Sequence, residues 1–402
     1  MTVSTNPALA LALLVVFAVG AQLLAHALAV PQIVTLLALG VLGGPDALGI
    51  IDPDELLGTT LEPLVTLAVG VVLFDGARNL RHEDLVEGAW RPVARLVTLG
   101  VLVSWGIGTL ASRLLLDLDW SICILIGAIL TLSGPTVVAP LLHHVRPSAR
   151  IGAVLEWEGV VVDPIGAILA VLVFHGVRAG ETDIEIGEFV ATIACGIGIG
   201  VAAAAGVIVL LRHTRAPIHL RSTAVLAAVL VAVGAADAVY EDAGLVTAIV
   251  VGVAMARSKG LVPEGREVEF SVFGDTLVQL LIGILFVTLA ARVDLDAVVE
   301  LGVAGLALVT VLIFVQRPVD VAVSTAGTVL TRRERLFAAG VMPRGIVVAA
   351  TASAFQISLV EAGVEDADQI VPVCFLVIAA TVLVYGLTAR PLARALGVTS
   401  AR

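Results

Sequence analysis

The chain has 402 residues, of which 59% are hydrophobic and only 14% charged, with a formal net charge of −11. Apolar runs recur along the whole length, which excludes an ordinary soluble globular protein and marks a polytopic helical membrane protein. One lysine stands against 22 arginines in no basic footprint for nucleic acid. The three cysteines, Cys123, Cys195 and Cys374, lie singly within apolar runs and read as packed thiols rather than metal ligands.

Thirteen apolar segments are predicted as membrane helices: Ala8–Ala27, Pro31–Gly43, Leu61–Gly76, Val93–Leu115, Ser121–Leu142, Ile151–Phe174, Ile186–Leu211, Ala224–Val239, Ala243–Ala256, Val272–Ala291, Val298–Val315, Leu336–Gln356 and Ile370–Leu387. With the N-terminus outside, the inward loops collect 19 of the 23 basic residues, among them Arg78, Arg91, Arg146, Arg212, Arg257, Lys259, Arg317, Arg332 and Arg390. Outward loops hold only Arg113, Arg178 and Arg292, are otherwise acidic, as at Asp46, Asp52, Asp54, Glu55, Glu181, Asp183, Glu185 and Glu188, and Arg344 falls inside a span. This asymmetry predicts an outer N-terminus and a cytoplasmic C-terminus. Ala25-His26-Ala27 has the look of a signal-peptide cleavage site, but no basic residue precedes the first span and cleavage would invert every later loop.

An odd count predicts two six-helix repeats, about residues 8–177 and 221–391, joined by a linking helix at about 186–211 that inverts the second copy. The fifth segment is interrupted by Ser133-Gly134-Pro135-Thr136 and its counterpart, the twelfth, by Met342-Pro343-Arg344-Gly345. Interruptions at matching places in two halves point to the binding site of a secondary transporter. The whole chain reads as one all-α membrane domain, with no soluble domain or linker.

The sixth segment carries Glu156, Glu158 and Asp163, and an ionised group near the bilayer centre costs about 2.5 to 3.5 kcal/mol even on insertion scales. A seven-residue spacing puts Glu156 and Asp163 on one face, with Glu158 about 140° round from Asp163 at about 100° per residue. Asp163 is the first candidate to trade a proton for a cation; alternatively it is structural, capping a Pro-broken helix at Pro164. Arg344 must find an acid, and Glu158 or Glu156 stands at similar depth; that pair could be wholly structural, which leaves Glu156 as a second structural acid or as part of the ion path. Ser133, Thr136 and carbonyls freed by Pro135 could supply neutral oxygen to a hard cation such as Na+. Asp75, in Phe74-Asp75-Gly76, could guide cations inward or merely neutralise Arg78. His143 and His144 sit beside Arg146 in an inner loop, either tuning activity with pH or simply solvated.

At these residues the chain resembles the monovalent cation:proton antiporter family, the sodium/proton exchangers. The acidic-helix pattern E-x-E-S-x-x-N-D stands here as Glu156-Trp157-Glu158-Gly159-Val160-Val161-Val162-Asp163, and R-G-x-V as Arg344-Gly345-Ile346-Val347. Phe74-Asp75-Gly76 resembles F-E-G, Pro31 through Gly43-Gly44-Pro45 resembles the second span, and Thr381 to Thr388 resembles the last. The chain departs from the pattern at Gly159, at Val162 and at Gly134, where T-D-P has become Ser133-Gly134-Pro135.

The resemblance implies alternating access in a homodimer of the cell membrane, a core of the fifth, sixth and twelfth helices, and an Arg344–Glu158 ion pair. It implies exchange of Na+, or alternatively K+ or an organic ion, for H+, with Asp163 as the cation ligand and no cofactor. With Asp163 the one transport carboxylate retained, one-for-one electroneutral exchange is expected. An enzyme would need a nucleophile or metal set, and no H-E-x-x-H, paired cysteines or serine motif occurs; a channel would show repeated filter residues, which are also missing.

Overall fold

A computed structural model describes residues 7–28, 30, 32–79, 88–179, 186–214, 217–240, 243–258 and 267–399. Pro31, Arg81, Glu181, Asp183, Glu185, Arg215, Lys259, Arg266 and Arg402 lie outside the described residues, as do the side chains of Asp54, Pro135, Thr136, His143, His144, Pro164, Glu188 and Ile346.

Within those residues the thirteen segments become α1 (Pro7–Leu28), α2 (Gln32–Gly43), α3 (Leu61–Asn79), α4 (Trp90–Leu116), α5 in two pieces (Trp120–Ile129 and Pro135–Val145), α6 (Ala149–Ala179), α7 (Ile186–His213), α8 (Ile218–Asp237), α9 (Ala243–Arg257), α10 (Glu267–Ala291), α11 (Gly302–Ser324), α12 in two pieces (Arg332–Ala339 and Ile346–Glu361) and α13 (Ile370–Leu396). Eight helices are long and apolar enough to cross a membrane by length and composition. Among the described residues, extended pairing is limited to one isolated bridge between Pro147 and Thr399. The all-α membrane architecture is as the apolar runs demand, since a helix satisfies its own backbone groups in lipid.

Both interruptions appear where the sequence places them. In α5, Gly134 adopts φ +71°, and Pro135 opens the second piece at a position whose missing N–H costs no helical bond. In α12, residues 340–345 are non-helical between Ala339 and Ile346. The 31-residue α6, by contrast, runs through Pro164 without a break. Two further departures from a regular helix were not foreseen: single π turns at Leu96–Gly100 in α4 and Leu312–Gln316 in α11.

The eleventh helix corrects the sequence reading. The apolar run stops at Val315, so Arg317 was assigned to an inward loop, but the helix continues to Ser324 and Arg317 is 1% exposed within it. The polar residues that end the run face protein rather than water.

The chain divides into two compact units, residues 1–59, 83–184 and 283–402, and residues 60–82 and 185–282. In the first, α6 lies close against the α5 break: a Cβ on Gly166 would stand 2.7 Å from Thr131 Oγ1 and 2.9 Å from Leu132 Cδ2. Small residues allow such approach where lipid gives no hydrophobic force between helices. In the second unit, α9 packs on α3 and α7, and the Thr247 hydroxyl donates to the Gly196 carbonyl at 2.9 Å.

Candidate functional site

The α5 break leaves two kinds of orphan backbone group, and the first unit answers each with an opposite charge. The N–H groups of Ser133 and Gly134, at the start of the second piece, donate to Asp163 Oδ1 at 3.0 and 2.8 Å. A carboxylate at a helix N-terminus satisfies free donors and favours the helix dipole. The carbonyls of Thr131 and Leu132, at the end of the first piece, each accept from Arg344 Nη1 at 3.1 Å. Arg344 Nη2 donates to Gln316 Oε1 at 3.0 Å, and its backbone N–H to Thr381 Oγ1 at 3.3 Å. Arg344, from the α12 break, thereby ties the two interruptions together.

The expected ion pair between Arg344 and Glu158 is not formed. Glu158 is instead held in a fork by Arg317, Oε1 on Nη1 at 2.5 Å and Oε2 on Nη2 at 3.0 Å. The physical reason is that the freed carbonyls of α5 claim the Arg344 guanidinium, and Arg317 matches the planar carboxylate from α11. Arg317 also donates to Asp320 Oδ2 at 3.0 Å and, through Nε, to the Ala338 carbonyl at 2.9 Å. Gln316 links this group to α4 by donating to the Ser104 carbonyl at 2.8 Å. All five charged side chains, Glu158, Asp163, Arg317, Asp320 and Arg344, are at most 3% exposed.

Counting charges, three carboxylates face two guanidiniums, so the ionised cluster carries one negative charge in excess. Asp163 Oδ2 has no hydrogen-bond partner, and neither does the buried Ser133 hydroxyl. An anionic oxygen and a neutral oxygen, both buried and both unpaired, are the kinds of atom that a proton or a hard monovalent cation takes as partners.

The other predicted residues fall as follows. Glu156 is half-buried on α6 beside Trp157, which meets Trp90 edge-on at 6.2 Å. Thr136 is the second residue of the second piece of α5, its side chain outside the described residues, as are those of His143 and His144. Asp75 belongs to the second unit, where it pairs with Arg78 at 2.6 Å in a cleft lined by Phe74, Ser222, Leu226, Gly274 and Leu277. Cys123 and Cys374 are buried free thiols and Cys195 is half-buried.

Sequence reasoning missed Gln316, Arg317 and Asp320. Their signal was available: residues 316, 317, 320 and 324 recur at helical spacing directly after an apolar run, so they share one face of its continuation.

A model of the sodium/hydrogen exchanger transmembrane family matches residues 11–395. The chain belongs to that family. The K(+)/H(+) antiporter NhaP2 of Shewanella baltica is 26% identical over 372 residues, which cover 91% of this chain and 62% of the relative. The K(+)/H(+) antiporter NhaP of Alkalimonas amylolytica is 25% identical over 395 residues, covering 96% and 66%. The chain therefore spans somewhat under two thirds of the length of these relatives. The Na(+)/H(+) antiporter 1 of Methanocaldococcus jannaschii is 23% identical over 86% of this chain and 82% of its own. Among solved structures, the sodium proton antiporter MjNhaP1 of the same organism at pH 8 matches with a TM-score of 0.83 and 23% identity, covering 96% of this chain and 97% of that one. The exchanger fold is thus shared over almost the full length.

Proposed function

We propose that the protein exchanges one monovalent cation for one proton across the cell membrane, with Asp163 holding either ion in turn. The observation that carries this reading is the Asp163 carboxylate, 0% exposed, one oxygen fixed on two backbone N–H groups and the other without a partner. Asp163 is the one carboxylate of the cluster with no guanidinium bonded to it, which supports one-for-one, electroneutral exchange. Ser133 completes the ligand set with Thr136 expected next to it, Glu158 with Arg317 ties α6 to α11, Glu156 is a further acid of the ion path in the first unit, and Asp75 guides cations within the second. Na+ is the first choice of cation, since carboxylate, hydroxyl and carbonyl oxygen suit a small hard ion. K+ is the second reading, favoured by the K(+)/H(+) names of two relatives.

The breaks in the fifth and twelfth helices and the π turns in the fourth and eleventh support two inverted repeats, about residues 8–177 and 221–391, with residues 186–211 between them. Basic residues of the loops support an outer N-terminus and a cytoplasmic C-terminus, with Arg317 removed from that tally. The functional assembly in this reading is a homodimer.

The test is proton movement in vesicles of purified protein, adding Na+, K+ or Li+ to a preset pH gradient beside Asp163→Asn. Wild type should collapse the gradient with at least one cation and Asp163→Asn with none, while eluting as a folded species. Exchange that persists in Asp163→Asn removes this residue from the mechanism, and a transport current refutes one-for-one stoichiometry.

A further inference from the structure

Asp320 is a buried acid that the exchange scheme does not by itself require. It is 1% exposed, shares Arg317 Nη1 with Glu158, and accepts from the Ser324 hydroxyl through Oδ1 at 3.2 Å. Glu158 already occupies both terminal nitrogens of Arg317, so Asp320 is a second anion on a guanidinium that one carboxylate would neutralise. Its position is built from outside as well: a Cβ on Gly100, in the π turn of α4, would collide with Asp320 Oδ1. The fold thus leaves room for this carboxylate at the cost of a side chain on α4.

Resting on the reading of Asp163 as the ion carrier, we infer that Asp320 is a positioning residue for exchange: acting through Arg317, it supplies the excess negative charge that sets how strongly Asp163 holds cation and proton alike. The groups facing Asp320 are Arg317 and Ser324 from its own helix and Glu158 from α6. Arg344 from the α12 break and Tyr385 from α13 lie within electrostatic reach of Arg317. Asp163 faces the Ser133 and Gly134 amides and, from α12, Arg344. Without the charge of Asp320, the ionised cluster is neutral, and an ion at Asp163 is held by its own carboxylate and the neutral oxygen of Ser133 alone.

The sign of the effect follows. Neutralising Asp320 weakens the hold on both ions together, so KM for the cation rises and the acid limb of the pH profile moves to lower pH. Five residues of α6, about 7.5 Å of rise, separate Asp163 from Glu158, and Asp320 stands beyond Arg317 from there. A charge at that remove, at an effective dielectric near 20, changes each affinity by about threefold to tenfold.

The experiment measures cation KM, kcat and the pH profile of exchange in vesicles for wild type, Asp320→Asn and Gly100→Ala, with Asp163→Asn as the inactive control. Asp320→Asn is isosteric and keeps an acceptor for Arg317 and Ser324. It should raise KM and shift the acid limb with little change in kcat; Gly100→Ala, which displaces the carboxylate without removing it, should move both in the same direction but less. A fall in folded protein or in kcat with KM and pH profile unmoved would overturn the assignment and leave Asp320 structural. A wild type that exchanges no cation would overturn the reading of Asp163 instead, so the two failures are distinguishable.

Discussion

Removing the guanidinium of Arg317 while keeping its bulk, as in Arg317→Met, strips three buried elements of a partner at once. Glu158 loses both its hydrogen bonds, Asp320 loses one, and the Ala338 carbonyl at the end of the first α12 piece keeps only its backbone donors. Breaking a buried ion pair by deleting one member costs about 3–5 kcal/mol, because the remaining charge stays buried and unpaired. Two stranded carboxylates place this variant at the upper end, near 5 kcal/mol. Replacing the whole group by neutral side chains, Arg317→Met with Glu158→Gln and Asp320→Asn, removes the stranded charges and should recover most of that loss. Unfolding free energies from denaturing-detergent titration in mixed micelles, followed by circular dichroism, give both numbers. The reasoning is refuted if Arg317→Met lies within about 1 kcal/mol of wild type, or if the triple variant is as unstable as the single.

Two other perturbations address the α5 break and the start of its first piece. Gly134→Ala forces a side chain to φ +71° at about 1–2 kcal/mol and pulls an N–H from Asp163, so cation KM in the vesicle assay should rise along with the stability loss. Asp119, at the N-cap of the first piece of α5, accepts from the Ser121 amide at 2.8 Å and from the Ser121 hydroxyl. That hydroxyl, then the amide, holds its carboxyl below the ordinary value. The stabilisation, about 1 kcal/mol for such a cap, is present above the unfolded pKa of about 3.9 and lost as pH falls through the lower folded value. The stability gap between wild type and Asp119→Ala should therefore be constant near neutrality and close in acid.

The all-α membrane fold, the two interruptions and the burial of Asp163 were legible because each has a local cause. Apolar runs of membrane length must be helical, Pro135 and Pro343 cannot continue a helix in the ordinary way, and a carboxylate at position 163 is costly in lipid. Partner choice was not legible. Arg344 was matched to Glu158 because opposite charges at similar depth attract, but sequence does not reveal that the Thr131 and Leu132 carbonyls would reach it first. The true partner of Glu158 was hidden by the rule that polar residues end a span; Gln316, Arg317 and Asp320 are polar because they face the interior of the first unit.

The two π turns have a consequence for how these helices tolerate change in length. A π turn holds one residue more than a regular turn, a phase step of about 100° at 3.6 residues per turn. Residues 302–311 and 317–324 of α11 are therefore written in different phases, and the same is true on either side of Leu96–Gly100 in α4. Deleting a single residue from 312–315 would restore a regular helix. Because the π turn has already absorbed that residue, Arg317 and Asp320 would stay on the face that meets Glu158 and Gly100, so the charge network tolerates a deletion here that a regular helix would not.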